Sequence, residues 1–484
     1  MDLLRAGDDM VGTAIERAMV LKHRRRLQRL GRLEALEPPD DGRLWCREAP
    51  PPRDGCAIEV LIDGAEVLPA IAAAIASAQR SVRVAGWAVS PHFALTRDEP
   101  PAVLRELLAD AADRGVDVRV LLWAGAPLDA FTPGRKAVRE ACHELTAGTR
   151  VRAAVDARER LLHCHHEKLV VVDDEVAFVG GVDLTDLGGD RWDTPRHPAR
   201  GRLGWHDVAT RLRGPIVADV AEHHDLRWTS VTGDPLPRVR AVAPAGDVRL
   251  QLVRTVPERV YEPQPLHEGA FGVLEAYMRA LRSAREFVYL ESQFFWLPEV
   301  VDLLADKVRR PPTERFRIVV LLPSKANNGE DDTRGMLATL ADADDGRGRF
   351  LPVTIDARTG RTVDRVYVHA KVGIVDDRWM TIGSANLNAH SFFNDTEVNV
   401  VACDPALART TRLRLWSEHL ERPLEVVGGD PCEVVDRLWW PIARAEHDRR
   451  LDGRQRTHRL RLLSPGSHRI ERLLGPLDAV VVDG

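Results

Sequence analysis

A chain of 484 residues is too long for one small core and implies two domains or one large duplicated body. Its 44% hydrophobic and 29% charged residues place it with soluble globular proteins. A net charge of -5 excludes a general attraction to nucleic acid or to an anionic bilayer, so any such contact needs a local patch.

The first segment, residues 10–36, reads as a basic helix in which Lys22, His23, Arg24, Arg25, Arg26, Arg29 and Arg32 crowd around Leu21, Leu27, Leu30 and Leu33. It suits either a membrane surface or packing on its own domain with a solvated arginine face; packing is the preferred reading. Prolines at 38, 39, 50, 51 and 52 then mark a linker, so 1–57 forms an N-terminal helix and linker. The opening residues lack the apolar core of a signal peptide. No apolar run reaches about 18 residues, the length of a membrane span. The six cysteines are scattered without a CxxC pair, which argues against a zinc site or a disulfide framework and for reduced thiols in a cytoplasmic protein.

From here the chain repeats itself. Ala76-Ser77-Ala78-Gln79-Arg80-Ser81 leads into the strand-like Val82-Arg83-Val84-Ala85-Gly86-Trp87; Leu281-Arg282-Ser283-Ala284-Arg285-Glu286 leads into Phe287-Val288-Tyr289-Leu290-Glu291-Ser292. Val118–Leu122 and Ile318–Leu322 follow as buried strands, and then His166 and His369 open matching segments. Offsets of 206, 200 and 203 residues between these landmarks argue for duplication. The copies span 58–235 and 248–425. Strands alternate with helices in both, which predicts an α/β fold of two duplicated α/β/α sandwich halves. Residues 426–484 read as an Arg-rich C-terminal extension.

The first copy carries His165-His166-Glu167-Lys168 followed by an apolar run to Asp173, then Gly180-Gly181-Val182-Asp183. The second carries His369-Ala370-Lys371 followed by an apolar run to Asp376, then Gly383-Ser384-Ala385-Asn386. Strand periodicity predicts that each His and Lys project together, with Gly180, Gly181 and Gly383 letting backbone approach a ligand. Only six of the 68 basic residues are lysines, and two of them sit in these motifs, which points to a need for a compact ammonium. One histidine can attack phosphorus while the other serves as general acid, then base. Two lysines and an amide can neutralise a phosphodiester, so neither a metal nor a cofactor is required. Each motif supplies half of this set, so the copies are expected to share one cleft. A carboxylate should hold each ring, and Asp207 and Glu397, each entering an apolar strand, are the candidates. Asp173 and Asp376 lie beyond the strands and read as structural.

These residues resemble the phospholipase D superfamily, whose hallmark is a paired His-x-Lys-x4-Asp motif. Arg191-Trp192-Asp193, Trp205-His206-Asp207-Val208, Leu290-Glu291-Ser292-Gln293-Phe294-Phe295 and Asp395-Thr396-Glu397 resemble the eukaryote-type branch in particular. Ser292 and His390 depart from that branch, which favours Asn and Arg there. The resemblance implies phospholipid hydrolysis to phosphatidate through a covalent phosphohistidine, with His166 as nucleophile and His369 as acid and base. Transfer to an alcohol, cardiolipin-synthase chemistry and nuclease action are the alternatives. Asp183, Ser384, Asn386, Gln293 and Trp87 are the candidate substrate contacts, with Trp87 and Trp192 also suited to rim packing. The expected partner is phospholipid at a membrane surface, met by a cytoplasmic monomer without nucleic acid. The acidic residues Glu330-Asp331-Asp332 and Asp342-Ala343-Asp344-Asp345 read as solvated loop rather than a calcium site.

Overall fold

The computed structural model describes residues 2–48, 50–127, 132–159, 163–235, 239–262, 266–326 and 330–464, with the side chains of 2–12 and 330–332 excepted. Among them, the strands of the first half pair in the spatial order Arg152–Asp156, Asp117–Trp123, Ser81–Gly86, Leu169–Val172, Val176–Gly180, Val208–Arg213, Arg53–Ile62. The second half repeats that order with Phe350–Thr359, Arg317–Leu321, Phe287–Glu291, Val372–Val375, Trp379–Gly383, Glu397–Ala402, Val248–Val256. In both sheets the first two junctions are parallel and the rest antiparallel. The duplicated α/β architecture expected from the repeat is therefore present strand for strand.

Near-continuous runs of β-branched and aliphatic residues explain why these segments are central strands covered on both faces. Along Leu169–Val172 the side chains alternate. Val170 and Val172 pack with Val67, Ile71 and Leu108 of the helices Asp63–Ala76 and Leu104–Asp113. Leu169 and Val171 face a central core that contains Tyr289, Val319 and Leu321 of the other half. In the second half Val288, Leu290, Ile318 and Val320 turn outward onto Leu281 and Leu304 of the helices Gly272–Ser283 and Pro298–Arg309. The inner faces of both sheets thus belong to one core, and burying each aliphatic side chain there is worth about 1.5–3 kcal/mol.

Two strand pairings stitch the halves together. Arg53–Ile62 runs antiparallel to Val248–Val256, and Gly204–His206 runs parallel to Val366–Val368. The second pairing places Asp207 beside His369.

The N-terminal helix, Asp2–Arg29, is packed rather than free. His23 lies 2.7 Å from Glu299 and stacks on Phe393 at 3.9 Å, Arg26 pairs with Glu258, and Leu27 is buried. The acidic stretch predicted as a loop is a helix, Glu330–Asp344, and Asp344 closes it by accepting from the amides of Gly348 and Arg349 at 2.8 Å each. The C-terminal extension adds the strand Leu460–Leu462 to the edge of the second sheet beside Val353–Ile355; residues 465–484 lie outside the described residues. No described helix is long and apolar enough to cross a membrane.

Candidate active site

His166 and Lys168 precede the strand Leu169–Val172, and His369 and Lys371 precede Val372–Val375, so the motifs sit at strand entrances rather than within the strands. The two imidazoles meet across the junction with ring centroids 6.5 Å apart. Each is held by the other half. His166 Nδ1 lies 3.0 Å from Glu397 Oε1, and His369 Nδ1 lies 2.7 Å from Asp207 Oδ2. The backbone repeats the exchange: the His166 amide donates to the Thr396 carbonyl at 3.0 Å and the His369 amide to the His206 carbonyl at 2.8 Å. In both cases the acceptor is the residue just before the carboxylate that binds the ring. With both Nδ1 atoms engaged, Nε2 of each ring is the atom left for chemistry.

Lys168 Nζ donates to the His166 carbonyl at 2.7 Å and lies 3.2 Å from Asp183 Oδ2. Lys371 Nζ donates to the His369 carbonyl and reaches Gln293 Oε1 at 3.5 Å. Asn386 donates to the same Gln293 oxygen at 3.3 Å. Asp183 and Asn386, predicted as counterparts, are therefore linked to the lysines of their own halves, directly or through Gln293.

A pocket of about 160 Å³ opens over the two rings, lined by Trp87, His166, Asp183, Arg191, Trp205, Gln293, Tyr367 and His369 among others. Of the expected substrate contacts, Trp87, Asp183 and Gln293 line it, while Ser384 and Asn386 do not. Ser384 is a correction: its hydroxyl donates to Glu397 Oε2 and accepts from the Val398 amide at 3.0 Å, so it braces the carboxylate. Trp192 lies under the Arg97 guanidinium, 5.0 Å from its centroid, away from the pocket.

The motif glycines sit against neighbouring strands. A Cβ at Gly181 would sit 2.1 Å from Asp207 Oδ1, one at Gly383 2.3 Å from Asn399 Oδ1, and one at Gly180 2.4 Å from Ala209 Cα. Their bareness admits the neighbouring strand, and at Gly181 the catalytic-side carboxylate, rather than a ligand. Asp173 accepts from the amides of Gln79, Arg80 and Ser81 at 2.8, 2.6 and 2.8 Å. Asp376 does the same for Arg285, Glu286 and Phe287 at 2.8 Å each. Both tie the motif strand to the start of its neighbour, and neither lines the pocket.

Sequence reasoning missed four contributors. Arg191 is buried with its guanidinium 3.5 Å from the Trp205 ring centroid, and its Nε and Nη1 have no hydrogen-bond partner among the described residues. Trp205 and Tyr367 flank His369 at 5.4 and 6.3 Å between centroids. Ser391 donates to Glu397 Oε1 at 2.5 Å. Tyr367 stands two residues before His369, so strand alternation carried a signal for it; Ser391 had none.

The electrostatics are those of an anion site. Burial, and then the charges of Lys371, Arg191, Lys168 and His166, hold His369 well below the usual histidine range. Burial pulls the Lys371 ammonium down to about 7, against the opposing carboxylate of Asp207. Burial pushes Asp207 up and Arg191 down. A bound phosphodiester would offset part of the positive charge that depresses His369.

The chain is similar to known proteins. The family described as Phospholipase D matches residues 74–204, and the family described as Cardiolipin synthase, PLD-like domain, matches 277–417. Similar relatives include Phospholipase D A of Dictyostelium discoideum, 26% identical over 76% of this chain and 36% of its own length. Phospholipase D1 of Schizosaccharomyces pombe is 25% identical over 79% of this chain and 37% of its own. Phospholipase D alpha 3 of Arabidopsis thaliana is 24% identical over 78% and 67%. The chain thus spans little more than a third of the first two relatives. Among solved structures, phosphatidylserine synthase of Haemophilus influenzae shares the fold with a TM-score of 0.51 at 13% identity, over 81% of this chain and 94% of that one. The chain belongs to the phospholipase D superfamily, with its eukaryote-type branch.

Proposed function

We propose that this chain is a phosphodiesterase that cleaves the head group from a phospholipid such as phosphatidylcholine, giving phosphatidate and a free alcohol. The observation that carries the reading is the facing pair of imidazoles, each with Nδ1 bound to a carboxylate of the opposite half. In the first step His166 Nε2 attacks phosphorus, a P–N bond forms, and the P–O bond to the head group breaks. His369 Nε2 gives its proton to the leaving oxygen. The incoming phosphodiester offsets Lys168, Lys371 and Arg191, which raises His369 toward the protonated form the step requires. In the second step His369 takes a proton from water, whose oxygen displaces His166 from phosphorus. Lys168, Lys371 and Arg191 stabilise the five-coordinate transition state. An alcohol in place of water gives phosphatidyl transfer, a second reading favoured by the cardiolipin-synthase description that matches the second half. The net charge of -5 counts against nucleic acid as substrate. We take the enzyme to be a cytoplasmic monomer acting at a membrane surface in lipid breakdown.

The test gives the purified chain phosphatidylcholine vesicles with and without ethanol and, in parallel, single-stranded DNA. Phosphatidate and phosphatidylethanol are the expected products. DNA cleavage without lipid turnover overturns the reading. Trapping the phosphoenzyme should map the label to His166 and lose it in His166→Ala; a label on His369 reverses the two roles.

A further inference from the structure

Beside Asp207 in the chain, His206 opens onto a second set of buried ionisable side chains that the reaction does not use and that do not line the substrate pocket. His206 Nδ1 lies 2.9 Å from Asp63 Oδ1 and 3.2 Å from Glu418 Oε1. His197 Nε2 lies 3.0 Å from the same Glu418 oxygen and 3.5 Å from Asp63 Oδ2. One nitrogen from each of two histidines and an oxygen from each of two carboxylates thus lie within 4.8 Å of one another, with Asp63 presenting Oδ1 to His206 and Oδ2 to His197. All four residues are buried.

The spacing is that of a coordination shell. Bonds of about 2.0–2.1 Å from zinc to nitrogen or oxygen place tetrahedral ligand atoms about 3.3–3.4 Å apart. The four contacts around the ring bracket that value. A second observation points the same way: Asp63 Oδ2 and Glu418 Oε2 are buried without a hydrogen-bond partner among the described residues. The far side of each imidazole is also prepared. His206 Nε2 faces Glu291 Oε2 at 2.9 Å, and His197 Nδ1 faces Asp193 Oδ2 at 3.2 Å. The Glu291 carboxylate behind His206 fixes the tautomer whose lone pair faces a metal, and Asp193 stands within 3.2 Å of His197 Nδ1 without a formed hydrogen bond. These outer carboxylates are themselves held, Glu291 by the Tyr289 hydroxyl at 2.5 Å and by His419 at 3.1 Å, Asp193 by Arg200 at 3.1 Å.

We propose that Asp63, His197, His206 and Glu418 form a four-coordinate site for a divalent cation of the zinc class. Two nitrogen and two oxygen donors suit zinc or a similar first-row ion better than calcium or magnesium, which prefer oxygen alone. A dication with two carboxylates and two neutral imidazoles is charge-balanced, whereas the bare cluster must take up protons on its histidines instead. The ion joins the start of the helix Asp63–Ala76 and the strand Gly204–His206 of the first half to the helix Pro405–His419 of the second. It does so at the residue whose carbonyl accepts from the His369 amide. Its role is to clamp the two halves in register, and the phosphate chemistry does not pass through it. No cysteine takes part, which is why cysteine spacing held no sign of it.

The test uses the full chain, treated with a chelator, dialysed into metal-free buffer and titrated with Co²⁺ and then Zn²⁺. One equivalent of Co²⁺ should give the intense visible bands of a tetrahedral ion, Zn²⁺ should abolish them, and metal should raise the thermal midpoint. Glu418→Gln, and the milder Asp193→Asn in the outer carboxylate, should each weaken Co²⁺ binding about tenfold or more with the circular dichroism spectrum kept. If stripping unfolds the chain, recovery on adding Zn²⁺ supports the site. Less than a stoichiometric equivalent, or weak octahedral bands only, overturns it and leaves protonated histidines filling the cluster. Full-strength binding in both variants also overturns it, because the ion then sits elsewhere.

Discussion

Asp207 Oδ2 stands 2.7 Å from Nδ1 of His369, a residue 162 positions away in the other half of the molecule. Glu397 returns the same service to His166. Neither half can orient its own histidine, so the duplication is functional as a pair and not as two separate sites. Replacing either carboxylate by its amide keeps the shape but puts an N–H where the ring needs an acceptor. Asp207→Asn and Glu397→Gln should each lower kcat by about 10²-fold or more, with unchanged secondary structure. Measured kcat within twofold of wild type for either variant would remove the carboxylate from the mechanism.

Gly181 offers a test of the same contact without touching a polar atom. An alanine Cβ there would lie 2.1 Å from Asp207 Oδ1, so the carboxylate must move away from His369. Gly181→Ala should cost about tenfold or more in kcat while leaving the His166 side intact, because misplacement of a supporting group by about 1 Å carries penalties of that order or larger. Phosphoenzyme should still form at His166, but both its formation and its hydrolysis should be slowed, because His369 serves in both steps. A variant as active as wild type would show that the carboxylate tolerates the shift.

The Lys371 ammonium, drawn down to about 7 by burial, gives the reaction an alkaline limit. The charged form is the one that binds phosphate, so kcat/KM should fall as pH rises through about 7. A bound phosphodiester stabilises the ammonium, so the corresponding fall in kcat should lie at higher pH. Stability moves the other way. The folded-state pKa lies below the unfolded value of 10.5, so the unfolded chain binds more protons between about 7 and 10.5. This group's contribution to stability therefore increases as pH rises through that window. Matched pH profiles of kcat and kcat/KM check the point; identical alkaline limbs near 7 in both would assign the limb to another group.

The repeat made much of this legible before any coordinates. The 203-residue offset between His166 and His369 carries through to Gly180 and Gly383, and the two sheets follow the same strand order. Short-range signals sufficed because motif, strand and turn are local. What sequence could not give was the exchange between halves. Strand pairing between Gly204–His206 and Val366–Val368 decides which carboxylate meets which ring, and nothing in either segment encodes its distant partner. Ser384 was misjudged for a related reason: its place in the motif was visible, but Glu397 behind it was not. At the motif glycines a close approach was evident from sequence, but the approaching group was not.

Arg191 supplies a further cation to a site where Lys168 and Lys371 were expected to suffice. It lies against Trp205 with Nε and Nη1 unpartnered among the described residues, in the lining of the pocket that holds both histidines. Such donors are costly to bury unless a ligand engages them. Arg191→Ala should lower kcat/KM by about 10²-fold, in keeping with loss of a charge-assisted hydrogen bond of about 2–3 kcal/mol. Arg191→Lys should recover little, since a lysine neither stacks on Trp205 nor presents a planar fork. Kinetics on short-chain phosphatidylcholine make the comparison; full activity in the alanine variant would confine Arg191 to packing.

The motif aspartates separate stability from chemistry. Asp173 accepts three consecutive backbone amides, those of Gln79, Arg80 and Ser81, and Asp376 accepts the three at the matching place in the second half. Their backbones also sit in the left-handed region, at φ of 58° and 52°, which Asp tolerates better than most residues. An asparagine keeps one acceptor oxygen and loses the charge, so Asp173→Asn and Asp376→Asn should each cost about 1–3 kcal/mol of stability. The chemistry should not follow, because neither residue reaches the pocket. Denaturant unfolding alongside kcat, normalised to the folded fraction, tests the division. A lower kcat in fully folded Asp173→Asn protein would place this residue in the mechanism after all, and an unchanged one assigns the last position of the His-x-Lys-x4-Asp pattern to folding.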